Sequence, residues 1–200
     1  MKILMLGAHG QIARVATRLL LERTDAELTL YLRKAKRLSG LADPPRVTVV
    51  KGDVLDTTAL DAAMTGQDVV YANLSGSMAQ QARAIVASMT KASVRRLIFV
   101  SSMGIYGEVP GEKPGAILEP YRQSAATIEA SGLDYTIVRP AWLNDRDEIS
   151  YGTTSRHEPF ANANANANAY VSRKSVADLI VKLVVTPGLG LRDSLGVHAA

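Results

Sequence analysis

The sequence predicts an α/β fold: a doubly wound parallel sheet with helices on both faces and a small C-terminal extension. Three observations predict it. Short apolar runs alternate with stretches of helical periodicity along most of the 200 residues, the pattern of strands joined by crossover helices. The first run lacks polar alternation, which marks a strand covered on both faces. A glycine-rich turn, Gly7-Ala8-His9-Gly10, separates that run from the first helix.

The first strand is Lys2–Leu6. A helix from about Gln11 to Glu22 follows, with Ile12, Val15, Ala16, Leu19 and Leu20 on one stripe. The second strand is Glu27–Leu32. A short basic helix, Lys34–Leu38, ends near Gly40, and Pro44-Pro45 breaks the chain before a third strand, Val47–Lys51. Asp56 is placed to cap a helix that runs to about Met64. The fourth strand is Asp68–Asn73, followed by a helix over Ser77–Lys91 and a fifth strand, Arg96–Ser101. The glycine- and proline-rich stretch from Met103 to Glu119 reads as a loop, and loops of this length inside a compact domain are often functional. A helix from Pro120 to about Ala130 has its proline in the tolerated first turn and ends at Gly132. The sixth strand, Tyr135–Val138, is closed by Pro140. Beyond it the pattern weakens. Ser175-Val-Ala-Asp178 resembles a capping box at the start of a helix to about Val185, and Pro187 with the glycines after it loosens the tail. The alternating Ala-Asn tract at 161–169 has neither helical stripe nor strand propensity and reads as a low-complexity loop.

Composition narrows the function. A hydrophobic fraction of 47% and a charged fraction of 21% describe a globular chain. Its length suits one domain over residues 1–200, with 141–200 forming the substrate side. The net charge of +4 is dispersed, with no aromatic-studded basic stripe, which argues against nucleic acid. The absence of cysteine removes disulfides and thiolate chemistry and fits a reducing cytoplasm. The N-terminal apolar run stops at Gly7, too short for a signal sequence, and no segment is long enough to span a membrane. His157 and His198 have no partners at ligand spacing, so no metal site is expected.

The turn Gly7-x-x-Gly10-x-x-Ala13 carries the chemistry. Gly7 allows a tight exit from the strand, Gly10 lets a phosphate approach the main chain, and Ala13 lets helix and strand pack closely. The amides of the helix start, at Gln11 and Ile12, then face a pyrophosphate; a plain strand–helix turn is the alternative. His9 lies within the turn. At the end of the second strand, where an acid would bind the ribose of NAD, stands Arg33. A guanidinium there pairs with a 2′-phosphate, so NADP(H) is expected over NAD(H). Lys34, Lys36 and Arg37 follow it, and a solvated basic helix is the competing reading. Gly52-Asp53-Val54 follows the third strand; Asp53 either accepts from the adenine amino group or serves its own turn. Asn73 ends the fourth strand on the same edge.

The chain resembles the short-chain dehydrogenase/reductase superfamily, in particular its atypical NmrA-like, epimerase/dehydratase-like branch. The likeness covers nearly the whole chain. It is carried by Gly7-x-x-Gly10-x-x-Ala13, Gly52-Asp53, Ser101-Ser-Met-Gly-Ile-Tyr106-Gly107, Pro120-Tyr-Arg-Gln-Ser124, the run from Ser131 to Pro140, and Val171-Ser-Arg-Lys-Ser-Val-Ala177. It implies a Rossmann-like NAD(P)-binding fold. It also implies catalytic roles for Ser102 and Tyr121, with Ser101 and Pro140 beside the nicotinamide. The lysine that accompanies the family tyrosine is replaced by Ala125. Without that ammonium, Tyr121 is a poorer base at neutral pH and serves better as a proton donor. Arg122 lies about 100° around the helix from it and is a poor substitute. Tyr106 is a second candidate acid, and Trp142 either walls a substrate pocket or packs at an edge. Three functions follow: an NADPH-dependent reductase of a small carbonyl or related electrophile, a non-catalytic NADP(H) sensor acting on a regulatory partner, and a nucleotide-sugar epimerase or dehydratase. Oligomeric state is left open.

Overall fold

A computed structural model describes residues 1–38, 45–111, 113, 115–156, 158–160 and 170–200. The expectations placed on Gly40, Pro44, His157 and the tract at 161–169 lie outside the described residues. In chain order the elements are β1 (Lys2–Leu6), α1 (Gln11–Arg23), β2 (Glu27–Leu32), β3 (Val47–Lys51), α2 (Thr57–Met64), β4 (Val69–Ala72), α3 (Met78–Ala92) and β5 (Arg96–Val100). Then come α4 (Glu119–Glu129), β6 (Asp134–Pro140), β7 (Trp142–Asn144), β8 (Gly152–Thr154), β9 (Tyr170–Ser172), α5 (Arg173–Val185) and β10 (Asp193–His198).

The main sheet has the strand order β3-β2-β1-β4-β5-β6-β10-β8 among the described residues. Every neighbouring pair is parallel except β10 with β8. The order reverses between β1 and β4, so a crevice opens at their carboxyl ends, where open α/β sheets bind ligands. β1 reads as unbroken apolar sequence because both faces are covered. Ile3 and Met5 pack toward α1 and α5 with Ala16, Leu20 and Ile180. Leu4 and Leu6 pack toward α2 and α3 with Leu60, Ile85 and Met89. Full burial of each such side chain contributes about 1.5–3 kcal/mol, and this fixes the strand that delivers the glycine turn.

Several local expectations are corrected. The basic segment after β2 is a single 3₁₀ turn, Ala35–Leu38, rather than an α-helix. The sixth strand extends through Pro140, because that residue needs no N–H there: its carbonyl accepts from Met103 N at 3.2 Å while β10 runs alongside. Asp56 caps α2 as expected, accepting from Ala59 N at 3.1 Å. The cap of α5 is Ser172, which accepts from Ser175 N at 2.9 Å, so Ser175 lies inside the first turn. The largest correction is the tail. It does not loosen but returns as β10 between β6 and β8. A glycine hides this strand from sequence reading. A Cβ at Gly196 would lie 2.3 Å from Thr154 Oγ1 and 2.4 Å from the Phe160 ring, so close approach, rather than flexibility, requires the glycine.

Candidate dinucleotide-binding site

The glycine turn is held by the residues around it. Gly7 has φ +77°, and a Cβ there would stand 2.1 Å from the Asn73 carbonyl oxygen. Gly7 N donates to Tyr31 O, on β2, at 3.0 Å and Gly10 N to Gly7 O at 2.9 Å, which closes the turn between β1 and α1. Gly10 is the N-cap of α1 and has no side chain to cap with. The first-turn amides, at Gln11, Ile12 and Ala13, are therefore left for an anion at the positive end of the helix. A Cβ on Gly10 would meet Asn73 Nδ2 at 2.6 Å, so the turn and the end of β4 form a narrow cradle that a side chain would fill.

A cleft of about 310 Å³ extends from this cradle toward β2 and β3. Gly7, His9, Gly10, Arg33, Gly52, Asp53, Val54 and Asn73 all line it. Arg33 is largely exposed, and its Nη1 lies 4.0 Å from Asp53 Oδ2. Asp53 also closes its own turn, accepting from Leu55 N at 3.0 Å, so one carboxylate oxygen faces Arg33 and the other serves the backbone. Tyr31, which the sequence reading passed over as a strand residue, forms the floor. Its hydroxyl donates to Asp53 O at 2.9 Å, and its ring occupies the space a Cβ on Gly52 would take. Burial, with Asp56 and Asp53 nearby, pushes the Tyr31 phenol up to about 12, so it stays a neutral donor. The signal available in the sequence was the glycine that follows the neighbouring strand, Gly52.

A second cavity, of about 400 Å³, continues over the ends of β4, β5 and β6 and shares Asn73 and Leu74 with the first. Ile12, Ser101, Ser102, Tyr121, Pro140 and Trp142 line it. Ser101 is buried and its hydroxyl has no partner among the described residues, which suits a polar ligand in the cavity. Ser102 and Tyr121 are half-buried. Trp142 is 56% exposed and forms one side of the opening. Gln11 faces a neighbouring groove with Arg14 and Arg173. Arg173 borders both that groove and the second cavity; it was read in the sequence only as part of a motif.

The Tyr-x-x-x-Lys departure has a structural counterpart. Ala125 is buried in the apolar core beside Ile128 and Leu97, and no cation stands in its place on α4. Arg122 is engaged by Glu119, with Nε 3.0 Å from Oε2. Tyr106 does not line the second cavity; it lines a separate one with Glu108 and Arg156. Its hydroxyl donates to Glu129 Oε1 at 2.6 Å, its ring packs against Arg139 and Arg156, and burial followed by the Glu129 contact raises its pKa. Among the described residues, no group of three or more His, Asp or Glu side chains is placed to hold a metal ion. Nor is any described helix long and apolar enough to cross a membrane.

A mostly parallel sheet with a glycine turn at its switch point, a basic residue after β2 and a polar cavity beyond β5 make up a Rossmann-like NAD(P)-binding fold of the short-chain dehydrogenase/reductase kind. The chain belongs to the NAD(P)H-binding family, whose profile matches residues 7–187. It is 42% identical to a Rossmann-fold NAD(P)-binding family protein from Shigella flexneri, with a TM-score of 0.87 over 99% of this chain and 93% of that one. It is 32% identical to a short-chain dehydrogenase/reductase from Veillonella parvula DSM 2008 solved in complex with NADP, with a TM-score of 0.86 over 98% and 93% of the two chains. An uncharacterised sugar epimerase of Bacillus subtilis (strain 168) is 29% identical over 201 residues, covering 90% of this chain and 86% of that protein.

Proposed function

We propose that the protein is an NADPH-dependent reductase of a small carbonyl or related electrophile. The observation that carries this reading is a path through two adjoining cavities that share Asn73 and Leu74. It begins at Arg33, passes the glycine turn and Asn73, and ends among Ser101, Ser102, Tyr121 and Trp142. The cradle at Gly7 and Gly10, the first-turn amides and the unpartnered Ser101 hydroxyl fit a dinucleotide laid along it. The NADP-bound relative from Veillonella parvula supports the same cofactor here.

When bound, the nicotinamide supplies the hydride. The chain supplies position and a proton. Arg33 pairs with the ribose 2′-phosphate, with the nearby Asp53 carboxylate orienting its guanidinium. Ser102 hydrogen-bonds the acceptor oxygen, and Tyr121 donates the proton that the reduced oxygen takes up. With Ala125 in the core and Arg122 tied to Glu119, Tyr121 works as a donor rather than a base. That favours reduction over alcohol oxidation at neutral pH.

The test has two arms. Arg33→Ala should weaken NADPH binding by roughly tenfold or more while NADH binding barely moves; equal losses would remove the 2′-phosphate role. In a panel of small aldehydes, ketones and enones, NADPH oxidation by the wild type should fall at least about a hundredfold in Tyr121→Phe and Ser102→Ala. The Ala125 position also supports a second reading, a non-catalytic NADP(H) sensor. That reading gains if the wild type binds NADPH tightly, oxidises it with no member of the panel, and is indifferent to both substitutions.

A further inference from the structure

The cations of the cleft sit at its two ends. Arg33 and Lys34 line the adenine end. The glycine turn between the ends holds no lysine or arginine, so its contribution to two linked phosphates is made by amides alone. At the far end Arg173 lines the cavity with Ile12, Ser102 and Tyr121.

Arg173 is the first residue of α5, and Ser172 before it is the buried cap. It also borders the groove formed by Gln11 and Arg14. Arg173 thus shares cavity walls with Gln11 and with Ile12, in the first turn of α1, where the unfilled amides are. Its side chain is 18% exposed, and Nη1 donates to Asp145 Oδ1 at 2.9 Å, an acid that is itself 83% exposed. Nε is buried and has no acceptor among the described residues. An arginine that lines a ligand cavity and is anchored at one end is suited to an oxyanion. The guanidinium fork matches phosphate oxygens, and the charge is always present.

We propose that Arg173 grips the pyrophosphate of the dinucleotide from the nicotinamide side, opposite the first-turn amides of α1. The proposal rests on the NADP(H) reading above and adds to it. The phosphate site is built from both ends of the chain, with amides from the first crossover and a cation from the helix that follows β9. Asp145 holds the guanidinium in place from the solvent side.

Calorimetric titration of the full chain with NADPH, NADH and adenosine 2′-monophosphate tests it. The last probe carries the 2′-phosphate and no pyrophosphate. Arg173→Ala should weaken NADPH and NADH by the same factor, about tenfold or more, and leave adenosine 2′-monophosphate unchanged. Arg173→Lys should recover part of the loss. Arg33→Ala should show the opposite pattern, sparing NADH. Unchanged dinucleotide affinities in a folded Arg173→Ala variant would overturn the proposal, including the case in which only the KM for the carbonyl acceptor rises. So would an equal loss for adenosine 2′-monophosphate. A wild type that binds neither dinucleotide would remove the underlying cofactor reading, and the Arg173 proposal with it.

Discussion

Two glycines three residues apart do different work, and substitution should separate them. At Gly7 an alanine would have to adopt φ +77° and place its methyl 2.1 Å from a backbone carbonyl oxygen, Asn73 O. Neither the turn nor β4 can give way cheaply. Gly7→Ala should destabilise the fold by about 2–3 kcal/mol, visible as a lower urea midpoint without cofactor. Gly10 has an ordinary backbone, φ −55° and ψ 149°, and the obstacle there is the flexible end of a side chain, Asn73 Nδ2. Gly10→Ala should leave the urea midpoint nearly unchanged while weakening NADPH at least about tenfold, because the methyl stands where phosphate must approach. A large stability loss at Gly10, or none at Gly7, would contradict this division. Both glycines were legible from spacing alone. Tyr31 and Arg173 were not, because each gains its meaning from a residue far away in sequence: Tyr31 from Gly52, Arg173 from the start of α1.

At the scale of elements, α5 is fastened by one buried acid. Asp178 is 4% exposed. Its Oδ1 accepts from Arg23 of α1 at 2.7 Å, and its Oδ2 accepts from Tyr151 at 2.9 Å and lies 2.9 Å from Lys182 Nζ. Burial pushes this carboxyl up, but the hydrogen bonds from Lys182, Arg23 and Tyr151 together outweigh it and hold the group below its ordinary value. A carboxylate depressed in the folded state contributes stability above its unfolded pKa, near 3.9, and loses that contribution as pH falls through the folded value. The wild type should therefore melt above Asp178→Asn at pH 7, with the gap narrowing below about pH 4. A constant gap from pH 7 to pH 3 in thermal melts would argue against the linkage. In the sequence Asp178 read as the acid of a capping box. That reading placed it on the right helix and gave it the wrong partner, because Arg23 lies on the first helix and Tyr151 on the segment before β8.

The whole molecule is tied together at Arg139, which is fully buried. Its guanidinium donates to Glu108, to Ser194 Oγ at 3.0 Å, to Ser194 O at 3.1 Å and to Ser155 O at 3.1 Å. It packs against the rings of Tyr106 and Phe160. Glu108 in turn accepts from the backbone of Gly104 at 3.0 Å and Tyr106 at 2.9 Å. One ion pair thus joins β6, β10, the segment before Phe160 and the loop that follows Ser102. Removing one partner strands a buried charge, so Glu108→Ala should cost about 3–5 kcal/mol. Saturating NADPH should restore part of that, since a ligand at a hundred times its Kd contributes about 2.7 kcal/mol. Chemical denaturation with and without cofactor measures both effects. A loss under about 1 kcal/mol would mean the pair is solvated or replaceable.

The sequence by itself determined the alternating α/β order, the strands from β1 to β6, the glycine turn and the basic residue after β2. All of these are local: apolar period, turn chemistry and caps act over a few residues and survive in a linear reading. Only the tertiary structure decided that the tail is a strand, that Tyr31 underlies the first cavity at Gly52, that Tyr106 serves a buried ion pair, and that Arg173 stands beside the first turn of α1. β10 carries a glycine and is stabilised by pairing with β6 and β8 rather than by its own propensity. The others are meetings of side chains from distant segments, set by sheet order. That order follows from which faces must be buried together, and the energy of that burial belongs to no single stretch of chain.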